Sequence, residues 1–140
     1  GDLAKNVGKR ALVLNREQPV RLTQSVGRMG RQALAQLTQV LDAYAQRSDE
    51  RALAVWRADN EIDETYNSLF RELLTYMMED PRTIGLCTHL LFLAKNLERI
   101  GDHATNIAEI VYYVVTGTDL SLDRPKGDVT STTTIEFPKG

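Results

Sequence analysis

With 140 residues and 42% hydrophobic content, the chain has the size and apolar content of one domain with a single core. Its 17 basic and 19 acidic residues leave a net charge of -2, which excludes a global field favouring nucleic acid or an anionic membrane; any partner is recognised locally. The single cysteine, Cys87, cannot form an internal disulfide and reads as a buried thiol in a reducing cytoplasm, and the longest apolar stretch, Ile84 to Ala94, is shorter than the ~20 residues of a membrane span.

In chain order, Gly1 to Arg10 read as the inside of a helix rather than as a natural start, which implies a fragment. The string from Gly1 to Val7, GDLAKNV, is similar to GDHATNI at Gly101 to Ile107. As an internal repeat it makes residues 1–16 the remaining half of the last helix of a preceding bundle. Pro19 suits a first helical turn, where its missing N–H costs nothing. From Val20 to Gln46 the residues Leu22, Val26, Met29, Ala33, Leu37, Val40 and Tyr44 recur every three or four positions, the period of an amphipathic helix.

Ser48 is an N-cap for a second helix, expected to run unbroken to about Glu79 with Ala52, Val55, Asp59, Ile62, Tyr66, Leu69, Leu73 and Tyr76 as its seam. Asp80 and Pro81 then cap and open a third helix, giving a tight hairpin. Leu86, Leu90, Leu93, Leu97, Ile100, Ala104, Ile107, Val111 and Val114 alternate in steps of four and three, as in long helices packed nearly antiparallel, and Gly117 ends the run. The fold expected is all-α: an antiparallel three-helix bundle over residues 17–117, preceded by the partial helix 1–16 and followed by a tail, 118–140.

Asp59 on the seam needs a partner, because burying an ionised carboxylate alone is costly. Asp63 follows one turn later, and Glu98 and Asp102 repeat the same spacing on the third helix, where like charges repel. Both helices rise about 1.5 Å per residue, and Asp59 precedes the Asp80–Pro81 junction by as much as Asp102 follows it; Asp63 and Glu98 are matched in the same way. The four carboxylates are therefore expected to face one another, with only Lys95 and Arg99 nearby to neutralise them. An all-oxygen donor set suits a hard cation such as Mg²⁺, Mn²⁺, Ca²⁺ or Fe³⁺, to which Asn106 or His103 could add a ligand; a solvated acidic flank is the alternative.

Glycine at 101, inside this cluster, costs about 1 kcal/mol against alanine and would let a backbone or ligand approach closely. No residue is assigned a catalytic role: Glu-x-x-His pairs, a phosphate loop, a GxSxG elbow and CxxC are all missing from the sequence. His89 reads as a core or boundary histidine. Arg21, Arg28 and Arg31 share a helix face, either simply solvated or a dock for an acidic partner.

The segment from Asn96 to Ala108, NLERIGDHATNIA, with Asp59 to Asp63, DNEID, on the helix before it, resembles the PhoU family, whose motif is Glu or Asp followed four residues later by Asp. The resemblance covers residues 1 to 117 and implies tandem three-helix bundles with metal-holding carboxylate faces, of which only the second is whole here. It implies a metal site at Asp59, Asp63, Glu98 and Asp102 for Mg, Mn, Fe, Zn or Ca. It further implies a cytoplasmic, non-enzymatic homo-oligomer, such as a homodimer, that represses the phosphate regulon. That role would link the ATPase subunit of the Pst phosphate ABC transporter to the PhoR histidine kinase, reaching the membrane only through those partners. A metal-independent helical adaptor is the other reading.

Overall fold

The computed structural model describes residues 1–14 and 20–120; Pro19, the side chain of Arg21 and most of the expected tail lie outside the described residues. Among the described residues five α-helices follow in order: α1 (Asp2–Leu14), α2 (Val20–Gln46), α3 (Asp49–Arg57), α4 (Asp59–Glu79) and α5 (Ile84–Thr116). No strand occurs among the described residues. The fold is an all-α bundle in which α5 is the common partner, packing against each of the other four helices.

Local chemistry sets the turns. Ser48 caps α3 by accepting the Arg51 N–H at 3.2 Å. Just before it, Arg47 takes a left-handed φ of 49°, and the Ser48 N–H reaches back to the Ala43 carbonyl at 3.0 Å, closing α2 tightly enough to reverse the chain. Asp80 accepts the Arg82 N–H at 3.1 Å, so Pro81–Thr83 wind as a 3₁₀ turn and α5 starts at Ile84, a little later than Pro81 suggested. Gly117 ends α5 at φ 75°.

The second helix is not continuous. It breaks at Ala58, whose carbonyl accepts the Gln36 side-chain amide from α2 at 3.1 Å and the Glu61 N–H at 3.1 Å. A carbonyl engaged from outside and by an i+3 donor leaves the regular ladder, and α4 begins afresh at Asp59.

The core has two clusters. One gathers Leu22, Met29, Ile62, Leu73, Leu90 and Leu97 around α4 and the first half of α5. The other holds smaller residues, Val40, Ala43, Ala52, Val55, Ala104 and Ala108, around α3 and the second half of α5. Cys87 is fully buried in the first cluster. The expected seam ran too far at one end: Tyr44 and Val114 are 69% and 60% exposed, lining an open groove with Ile110 and Val111. Asp59, Asp63, Glu98 and Gly101 lie where one cluster gives way to the other.

Candidate metal centre

Asp63 on α4 meets Glu98 and Asp102 on α5, each offering a carboxylate oxygen within 4.8 Å of the others. The hairpin brings them together because α4 and α5 run antiparallel from the Asp80 turn, and the i, i+4 pair on α5 stays on one face. Asp63 and Glu98 are each 2% exposed, and Asp102 is half-buried. Burial, and then the hydrogen bond to Asp102, push the Glu98 carboxyl up to about 7, against the pull of Lys95 toward the ionised form. Lys95 Nζ lies 3.1 Å from Glu98 Oε2 and 5.1 Å from the centre of the Tyr66 ring.

Asp59, expected to face the other three directly, stands at the head of α4 outside this group. It is 1% exposed, and its Oδ1 accepts the Thr105 hydroxyl at 2.7 Å, with the Gly101 carbonyl a second acceptor for that hydroxyl at 3.1 Å. Asp59 lies one turn along the same face of α4 from Asp63. What approaches Gly101 closely is protein: a β-carbon there would lie 2.9 Å from Gln36 Oε1 and 3.0 Å from Ile62 Cγ2. Arg99, His103 and Asn106 are exposed, as are Arg28 and Arg31.

Sequence reasoning missed Thr105 and Gln36. Both are fully or nearly buried polar residues in otherwise apolar stripes, Thr105 between Ala104 and Ala108 and Gln36 between Ala33 and Val40. A polar residue on a buried seam was the available signal, the same one that drew attention to Asp59.

The donor set fits a hard cation. Three carboxylates converge, the two from α5 are hydrogen-bonded to each other, and Lys95 is paired with Glu98 at their rim. Asp63, Glu98 and Asp102 would supply oxygen ligands there, and a bound cation would favour the ionised form of Glu98 that burial disfavours.

Comparison with known proteins identifies the family of the fold. The sequence pattern of the PhoU domain matches residues 26–111. A phosphate-specific transport system accessory protein PhoU homolog of Caulobacter vibrioides is 61% identical over 132 residues, covering 94% of this chain and 57% of that protein. The Escherichia coli phosphate-specific transport system accessory protein PhoU is 40% identical over 119 residues, covering 85% of this chain and 49% of its own. The crystal structure of PhoU from Pseudomonas aeruginosa superposes with a TM-score of 0.79 at 43% identity, over 84% of this chain and 56% of that one. The chain thus spans about half the length of these relatives, and it belongs to the PhoU domain family.

Proposed function

We propose that this chain is one carboxylate-bearing half of a regulator of phosphate uptake, and that it binds a metal cation through Asp63, Glu98 and Asp102, with Asp59 completing the acidic face. The observation that carries the reading is the convergence of three carboxylate oxygens within 4.8 Å, two of their residues buried. Grouped like charges out of water need neutralisation, and a hard cation supplies it more fully than one lysine.

In this reading the cation joins α4 to α5 and stiffens one face of the bundle, which then serves as a docking element with no reaction attached. The names of the relatives support a role beside the phosphate-specific transport system. The proposed partners are the ATPase subunit of the Pst transporter and the PhoR kinase, in the cytoplasm, with the protein acting as a homodimer. No described helix is long and apolar enough to cross a membrane, in keeping with contact through partners. The similarity of residues 1–7 to 101–107 supports α1 as the end of an earlier repeat.

The test is to purify the protein without chelator, measure bound metal by mass spectrometry, and compare it with the Asp63→Ala/Glu98→Ala variant. Capture of the ATPase and the kinase is then measured with and without EDTA. Equal metal content in the two proteins would remove the metal from the reading. EDTA-insensitive capture would favour a metal-independent adaptor. One observation supports that second reading: an apolar groove of about 470 Å³ lies apart from the carboxylates, lined by Tyr44, Ile110, Val111 and Val114.

A further inference from the structure

Lys95 precedes Glu98 by three residues on α5, so the two side chains share a face. The lysine side chain is 39% exposed and the glutamate 3%, which puts the ammonium at the rim of the buried carboxylates. Tyr66 stands three residues after Asp63 on α4, on the face that carries that aspartate, and its ring lies 5.1 Å beneath the same ammonium. One cation is thus held from both helices, by a carboxylate of α5 and an aromatic face of α4.

Resting on the metal-binding reading above, we propose that Lys95 is the internal counter-ion of the carboxylate centre, which an incoming divalent cation must displace from Glu98, so that Lys95 sets how tightly the centre holds metal. Glu98 Oε2 cannot offer its full charge to a metal while an ammonium lies 3.1 Å away, and two cations crowded against the same carboxylates repel each other. The long, partly exposed stem lets the ammonium swing toward solvent, and the Tyr66 ring gives it a second station that needs no carboxylate. Lys95 lowers the centre's metal affinity and stabilises the metal-free protein.

The sign of this effect separates it from a merely structural role, since damage to the fold weakens binding whereas loss of a competitor strengthens it. The experiment titrates Mn²⁺ by calorimetry into the chelator-stripped 140-residue chain and its Lys95→Met and Lys95→Arg variants, and records melting temperatures with and without Mn²⁺. Methionine keeps an apolar stem over Tyr66, and its thioether is a poor ligand for a hard cation. Lys95→Met is expected to bind Mn²⁺ about tenfold more tightly, to melt below the parent when stripped, and to regain the parent's melting temperature with metal. Lys95→Arg retains the charge and is expected to bind as the parent does.

If the parent binds Mn²⁺ and Lys95→Met binds equally or more weakly, the counter-ion role is overturned and the metal reading stands. If neither protein binds, both ideas fall together. Binding by Lys95→Met alone would support the proposal in its strongest form, with the lysine excluding metal from the parent.

Discussion

Gln36 and Gly101 are a fitted pair: the Gln36 side chain donates to the Ala58 carbonyl at 3.1 Å, and its Oε1 occupies space where a β-carbon at position 101 would be 2.9 Å away. One amide therefore breaks the helix before Asp59 and fills the gap left on α5 beside Asp102. The glycine that was expected to admit a backbone or a ligand admits side chains of α2 and α4.

Gly101→Ala should accordingly destabilise the protein although it improves helix propensity. The propensity gain is about 1 kcal/mol, while forcing a methyl against Gln36 and Ile62 costs about 1–3 kcal/mol, because the amide that would have to move is buried and hydrogen-bonded. A net loss of about 1 kcal/mol is expected from chemical denaturation. Adding Gln36→Ala should recover part of it, and strictly additive losses in the double-mutant cycle would show that the two residues do not share the gap.

Thr105→Val removes the hydroxyl that reaches Asp59 at 2.7 Å while keeping the side chain's shape. Taking a donor from a carboxylate that is 1% exposed should lower stability by about 2–3 kcal/mol, and Thr105→Ser should restore most of it. Denaturant midpoints for the three proteins are the measurement. A valine variant as stable as the parent would mean that Asp59 does not depend on this bond.

The pH dependence of the metal-free protein follows from Glu98. Its carboxyl sits at about 7 in the fold against 4.5 in a free glutamate, so between these values the native state holds a proton that the unfolded chain has released. The resulting stabilisation is fully present below pH 4.5 and is lost as pH rises through 7. With EDTA present, the melting temperature should fall from pH 5 to pH 8 through this group. With Mn²⁺ the ionised form is favoured, and the trend should flatten or reverse. Matching profiles with and without metal would argue against any cation at Glu98.

The sequence was most legible where geometry is linear. Equal rise along two antiparallel helices is enough to match Asp63 with Glu98, and capping chemistry alone locates Ser48 and Gly117. The break at Ala58 was hidden because Trp56 to Asn60 holds no Pro or Gly to mark it, and the amide that engages the Ala58 carbonyl lies 22 residues away in sequence. Tyr44 and Val114 misled for a related reason, since periodicity records a helix face and not where its partner ends.

Glu98→Gln should expose the conflict between stability and binding most directly. The amide keeps the shape of the side chain and an acceptor for Lys95, but removes the charge that burial and Asp102 oppose. At pH 8 with EDTA the variant should be more stable than the parent by about 1 kcal/mol, a rise of a few degrees in melting temperature. The same change removes one anionic ligand of three, so Mn²⁺ should stabilise the variant far less than it stabilises the parent. Scanning calorimetry of both proteins, with EDTA and with excess Mn²⁺, reads the two effects together. A variant that is destabilised without metal and fully responsive to it would place the strain elsewhere and remove Glu98 from the centre.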